Sequence, residues 1–150
     1  MKAYSSNAMK RFNHLLGEIE AAYHDIALKF GQSDSAMSIL YTICDYGESC
    51  PLQEICRRSG ISKQTINSAL RKLESEGIVY LEAAGSREKN VCLTQKGREL
   101  AETTAIRVIE AENGILASWP KEDVEKYLEL TERFLAGIKE KAEEMDKEVL

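Results

Sequence analysis

Pro51-Leu52-Gln53-Glu54-Ile55-Cys56-Arg57-Arg58-Ser59-Gly60-Ile61-Ser62-Lys63-Gln64-Thr65-Ile66-Asn67-Ser68-Ala69-Leu70-Arg71-Lys72-Leu73-Glu74-Ser75-Glu76-Gly77 is the stretch that decides the fold. Pro51 opens a helix whose short apolar face is Leu52, Ile55 and Cys56, and Gly60 breaks it after Ser59. A second helix restarts at once. Ser62 is a good N-cap, and Ile61 and Ile66 are spaced for a hydrophobic staple across it. Ile66, Ala69, Leu70 and Leu73 recur at helical spacing as a buried stripe, and Gly77 is the stop. Two helices joined by a tight glycine-containing turn are the signature of a helix-turn-helix.

The flanks extend this reading. Ile78 to Ala83 is rich in β-branched and aromatic residues, which predicts a strand. Ala84-Gly85-Ser86 makes a turn, and Lys89 to Leu93 returns, with Val91 and Leu93 alternating against Asn90 and Cys92. A β-hairpin, or wing, therefore follows the second helix directly. Thr94 caps a long helix from Gln95 to Ala117, and Trp119-Pro120 marks a corner. From Pro120 to Glu144 runs a last amphipathic helix, with Val124, Leu128, Thr131, Phe134 or Leu135, and Ile138 on its inner face. Upstream, Met9, Phe12, Leu16, Ile19, Tyr23, Ile26 and Phe30 alternate spacings of three and four. That narrow seam belongs to a long helix packed along another helix, and Gly31 ends it. Ser33 or Asp34 caps the next helix, whose apolar positions are Ala36, Met37, Leu40, Ile43 and Cys44, with Gly47 as its stop. The expected fold is mainly α with a small β-hairpin wing.

A chain of 150 residues suits one domain. No apolar run reaches membrane-spanning length, and Met1 to Asn13 is polar without an apolar core segment, so the expected location is the cytoplasm with no membrane partner. The net charge of −5 argues at first against nucleic acid, but its distribution argues the other way. Between Arg57 and Lys89, seven bases (Arg57, Arg58, Lys63, Arg71, Lys72, Arg87, Lys89) face four acids (Glu74, Glu76, Glu82, Glu88). A basic centre between acidic arms is a local footprint for phosphate. Cys44, Cys50, Cys56 and Cys92 form no CxxC pair and read as reduced thiols, several of them buried as small hydrophobes. His14 and His24 lack a third ligand, so no metal site and no cofactor are expected. No nucleophile–base pair, phosphate loop or metal motif supports an enzyme.

With Ile66, Leu70 and Leu73 inward, helical phase turns Gln64, Ser68, Arg71 and Ser75 outward, flanked by Asn67, Thr65 and Lys72. Groups that donate and accept, edged by bases, suit the floor of a major groove. Ser62, Lys63, Gln64 and Thr65 lie at the N-terminal end, where free N–H groups and the helix dipole favour phosphate. Arg87 at the hairpin tip, with Lys89 nearby, is placed for an adjacent minor groove.

Ile55 to Ser62, Thr65-Ile66 and Leu73-Glu74-Ser75-Glu76-Gly77-Ile78-Val79, followed by Arg87 and then Val91-Cys92-Leu93-Thr94-Gln95-Lys96-Gly97, resemble the helix-turn-helix and wing of the MarR family. The likeness covers roughly residues 9 to 145. Gly85 stands where the family usually has Asp, and Cys56 where it usually has a small residue such as Ala. The resemblance implies a single MarR-like domain over 1–150: residues 9–31 and 95–148 form a helical dimerisation region, and 33–94 a winged helix-turn-helix region. It implies a homodimeric, sequence-specific regulator of transcription, a ligand-responsive repressor. Double-stranded DNA with a pseudo-palindromic operator is the partner, and two recognition helices sit roughly 34 Å apart. Gln64, Asn67, Ser68 and Arg71 would read bases, while Ser62, Lys63, Thr65, Lys72, Arg87 and Lys89 would hold phosphates or enter the minor groove. It also implies a small aromatic or anionic effector, for which His24 and Tyr41 are lining candidates by position. Two alternatives stay open. One is a redox-sensing regulator whose input is Cys92 or Cys50, the latter beside Pro51 at a helix N-terminus that lowers its pKa. The other is a winged-helix protein-interaction module without DNA binding.

Overall fold

The computed structural model describes residues 3–149, so Met1, Lys2 and Leu150 of the expected domain lie outside the described residues. Among the described residues seven helices and three strands follow one another: α1 (Asn7–Lys29), α2 (Asp34–Tyr46), β1 (Ser49–Pro51), α3 (Leu52–Ser59), α4 (Lys63–Ser75), β2 (Val79–Ala83), β3 (Lys89–Leu93), α5 (Gln95–Thr103), α6 (Ala105–Ala117) and α7 (Lys121–Val149). The chain divides into two compact units, Met1–Ile109 and Glu110–Leu150.

In the first unit the caps are those expected of the sequence. The Ser33 hydroxyl accepts from the Ala36 N–H at 3.1 Å and the Ser62 hydroxyl from the Thr65 N–H at 3.2 Å. Each satisfies one donor that the first turn of a helix would otherwise leave unpaired, an interaction worth about 1 kcal/mol. The end of α4 is closed by a Schellman motif. Gly77 takes φ +73, its N–H bonds to the Glu74 carbonyl at 3.0 Å, and the Ile78 N–H reaches back to Leu73 at 2.9 Å. The same pair of bonds closes α1, from Gly31 to Leu28 and from Gln32 to Ala27.

The core joins α2, α3, α4, the sheet and the start of α6. Ile39, Leu40, Ile43, Ile55, Ile66, Leu73, Val79 and Val91 are fully buried in it, with Ile61 packed against its edge. A smaller cluster of Ala27, Met37 and Val108, with Ile26, Phe30 and Tyr41 against it, fastens the end of α1.

Three features differ from the sequence reading. The sheet has three antiparallel strands in the order β1-β3-β2, with Cys50 opposite Val91 and Val79 opposite Leu93. The wing is thus a hairpin with a third strand, Ser49–Pro51, along its inner edge. Because β3 is the central strand, Val91, Cys92 and Leu93 are all buried, and the expected alternation of Cys92 with its neighbours does not occur. The helix expected from Gln95 to Ala117 is broken at Thr104, which takes φ −129 and ψ −89. Both threonine hydroxyls there donate to the Leu100 carbonyl, Thr104 at 2.7 Å and Thr103 at 3.1 Å. That carbonyl is the acceptor that the Thr104 N–H would use in a continuous α-helix, and the N–H bonds to Ala101 instead. Hydroxyls that compete for backbone acceptors bend or break helices.

The second unit consists of the end of α6, the corner and α7. Trp119 meets Tyr127 edge to face, with ring centroids 5.6 Å apart. Among the described residues of α7 none is buried: of the stripe expected to face inward (Val124, Leu128, Thr131, Phe134 or Leu135, and Ile138), Val124 is half-buried and the rest are exposed.

A close approach fixes the start of α5 to the turn that follows α4. A Cβ added at Gly97 would lie 2.0 Å from the Ile78 carbonyl oxygen and 3.1 Å from its carbon, a backbone contact that cannot yield. Gly97→Ala is expected to destabilise the protein by about 2 kcal/mol or more, lowering the melting midpoint by roughly 4–8 °C. Calorimetry checks this.

Candidate nucleic-acid interface

Helix α4 and the wing face each other across a groove of about 610 Å³. Its lining includes Lys63, Asn67, Arg71 and Glu74 from α4, Arg87, Glu88 and Lys89 from the wing, and Leu52, Gln53 and Cys56 from α3. Lys63, Asn67, Arg71 and Glu74 share a face because they recur at spacings of four and three along α4. Four bases and two acids give the groove a cationic wall over an apolar floor of Pro51, Leu52, Leu70 and Leu81.

Of the residues expected at the interface, Lys63, Asn67, Arg71, Arg87 and Lys89 line this groove. Gln64 and Ser68 are exposed on the outer crest of α4, next to Arg71. Ser62 and Thr65 are exposed at its N-terminal end and tied into the cap, the Ser62 hydroxyl donating to Thr65 Oγ1 at 2.9 Å. Lys72 lies elsewhere, bordering a small cleft of about 70 Å³ with Gly31, Gln32, Ser33 and Ala36. Helical phase accounts for the separation: Lys72 follows Arg71 by 100° and turns away from the wing. Gln53 joins the groove without having been expected there, because the approach of α3 to the wing is a tertiary contact with no local signal.

The two remaining bases of the segment are held by acids. Arg57 donates to Glu54 through Nε at 3.1 Å and Nη2 at 2.8 Å, and Arg58 donates to Glu54 at 3.2 Å and to Asp45 at 2.9 Å. The Arg57 hydrogen bond, foremost, holds the Glu54 carboxyl below the usual carboxylate range, with Arg58 adding to it.

The Thr94 hydroxyl accepts from the Gly97 N–H at 2.9 Å and donates to the Gly77 and Ile78 carbonyls, while Lys96 Nζ reaches the Glu76 carbonyl at 2.9 Å. The end of α4, the start of β2 and the start of α5 therefore share one hydrogen-bonded knot. A model of the MarR family matches residues 29–88, the stretch that carries α2, α3, α4 and most of the wing. A helix-turn-helix-type transcriptional regulator of Bacillus subtilis, YwoH, is 28% identical over 130 residues, which cover 81% of this chain and 94% of that protein.

Over residues 29–88 the chain is similar to the MarR family. Solved structures share its fold. The Staphylococcus aureus MepR–DNA complex matches with a TM-score of 0.65 at 18% identity, covering 91% of this chain and 99% of that one. NadR in complex with 4-hydroxyphenylacetate matches with a TM-score of 0.66 at 17% identity, covering 92% and 96%. The winged helix here is thus built of α2 to β3, with the knot at Thr94 and Gly97 closing it.

His24 and Tyr41 do not line the groove. His24 Nδ1 meets both Asp34 carboxylate oxygens, at 2.9 and 3.0 Å, tying α1 to the first turn of α2. Tyr41 is half-buried against both hydrophobic clusters. Among cysteines, the expectation of a lowered Cys50 pKa is overturned. Cys50 is fully buried in β1, and burial pushes its thiol up to about 11, the nearby Arg58 only partly opposing this. Burial, first, and then Glu82 also raise Cys92. Cys56 is partly exposed at the groove wall. Thiolates are the reactive form, so native labelling at pH 8 is expected to modify Cys56 first and Cys50 and Cys92 only after unfolding, as peptide mass spectrometry of a time course would show. Early labelling of Cys50 would return the redox reading to consideration.

Proposed function

We propose that this chain is a MarR-family regulator, a cytoplasmic, ligand-responsive repressor that binds a pseudo-palindromic operator in double-stranded DNA as a homodimer. The observation that carries this reading is the single cationic groove shared by Lys63 and Arg71 of α4 and Arg87 and Lys89 of the wing. In a winged helix the recognition helix occupies the major groove. Gln64, Ser68 and Arg71 on the outer crest, with Asn67 beside them, would meet base edges, since amides pair with adenine and guanidinium with guanine. The Ser62–Thr65 end and Lys63 would meet phosphate, and Arg87 with Lys89 the flanking minor groove or backbone. Lys72 would hold phosphate only at the margin.

Two apolar stripes support the dimer. Leu128, Leu135 and Ile138 of α7 and Leu15, Leu16 and Ile19 of α1 are each about half exposed. Leaving half of such a side chain in water forgoes about 1 kcal/mol, and a second copy that interlocks residues 9–31 and 95–148 with its own would cover both. The winged region 33–94 would then project one recognition helix from each subunit, a half-site apart. The effector would be a small aromatic or anionic molecule, a class to which the 4-hydroxyphenylacetate of the NadR complex belongs. His24 and Tyr41 would help line its site, and its binding would shift the population of spacings between recognition helices.

Sedimentation is expected to give a dimer, and Leu128→Asp with Leu135→Asp a monomer without operator affinity. A salt titration on random duplex DNA tests the central step. Affinity should fall steeply with salt, and Arg87→Ala should flatten the log–log slope by about 0.9 per subunit. Absence of binding even at low salt would overturn the reading.

A further inference from the structure

Helix α3 carries two adjacent arginines that the groove does not use. They differ in how firmly they are held. Arg58 has two carboxylates and a ring: Glu54 at 3.2 Å, Asp45 at 2.9 Å and the Tyr46 ring centroid at 5.3 Å. Its side chain is 36% exposed and tied to the end of α2. Arg57 leans on Glu54 through a two-bonded fork and is 70% exposed. Glu54, 27% exposed, is thus a carboxylate shared between the two.

Their placement follows from helical phase. Ile55 is the buried residue of α3, and Gln53 and Cys56 line the groove. Arg57 stands four residues after Gln53, within about 40° of it around the helix, whereas Arg58 stands about 140° away. Arg57 therefore stands at the margin of the groove, beside Gln53 and turned from Leu52 and Cys56, and Arg58 on the α2 side. The first helix of a helix-turn-helix crosses the DNA backbone, so an unrestrained guanidinium at this position would reach phosphate.

We propose that Glu54 is a positioning residue that withholds Arg57 from the DNA backbone, keeping non-specific affinity low while the groove bases act. The fork satisfies the guanidinium as a phosphate would: two parallel N–H donors meet two anionic oxygens. DNA must compete with a carboxylate already in place. Removing the carboxylate frees Arg57, while Arg58 stays on Asp45 and Tyr46. This rests on the DNA-binding reading above and adds a direction to it: one substitution of an acid should make binding tighter and more salt-dependent, a gain that misfolding does not produce.

The experiment is a salt titration on random duplex DNA with four chains: parent, Glu54→Gln, Arg57→Gln, and both together. If the parent does not bind, the DNA reading fails and the comparison ends there. If it binds, Glu54→Gln is expected to steepen the log–log slope by about 0.9 per subunit and to raise low-salt affinity at least tenfold. Arg57→Gln alone should leave the slope as in the parent, and the double variant should return to it. A flatter slope for Arg57→Gln alone would overturn the proposal, because Arg57 would already contact phosphate. So would a gain that survives in the double variant, which would assign the effect to the carboxylate's own charge, and so would an unchanged slope in a folded Glu54→Gln protein. Circular dichroism melts of all four confirm that folded chains are compared.

Discussion

The missing side chain at Gly97 lets the start of α5 press onto the Ile78 carbonyl, and the rest of the winged region depends on that contact. The Thr94 hydroxyl uses its acceptor on the Gly97 N–H and its donor on the Gly77 and Ile78 carbonyls. One residue thereby caps α5 and ties it to the turn that closes α4. Since β2 leaves that turn directly and β3 returns to Thr94, these contacts join the end of α4 to the foot of the wing, alongside the core that both share. The bases of the groove are presented from two elements at once.

Electrostatics in this chain is a matter of local pairing more than of total charge. A chain of net charge −5 presents a cationic groove because its surplus acids lie mostly outside the segment from Arg57 to Lys89. Inside that segment Lys72 borders a separate cleft, and the other six bases divide into two groups. Lys63, Arg71, Arg87 and Lys89 line the groove, whereas Arg57 and Arg58 are bound to Glu54 and Asp45. Exposed pairs of this kind contribute little to stability, about 0–1 kcal/mol each. Their larger effect is to decide which charges a polyanion meets.

Much of the fold is legible because its signals are local. Ser33, Ser62 and Thr94 cap helices through hydroxyls that reach N–H groups three residues on, and Gly31 and Gly77 stop helices with bonds that only neighbouring residues supply. Those interactions can be read from spacing. Strand β1 cannot: three residues ending in Pro51 have no period, and their partner in β3 lies some forty residues away. The break at Thr104 hides in a sequence whose apolar spacing continues unbroken, since it arises from competition for one carbonyl. The same division runs through the site. Phase along α4 places Arg71 with Lys63, but a polar face alone does not tell Lys72, which turns away, from Asn67, which turns toward the wing. Gln53 enters through a tertiary approach, and although Glu54 lies three and four residues before Arg57 and Arg58, the tie of Arg58 to Asp45 and Tyr46 is again tertiary.

The account's central claim is that helix α4 and the wing act on DNA as one surface. Amide and side-chain NMR shifts of the protein, followed while a short duplex is titrated at low salt, test it most directly. The claim predicts that Lys63, Asn67, Arg71, Arg87 and Lys89 shift together with a single midpoint, while the buried knot at Thr94 and Gly97 holds still. Shifts along α4 without the wing, or shifts confined to residues outside the groove, would contradict it.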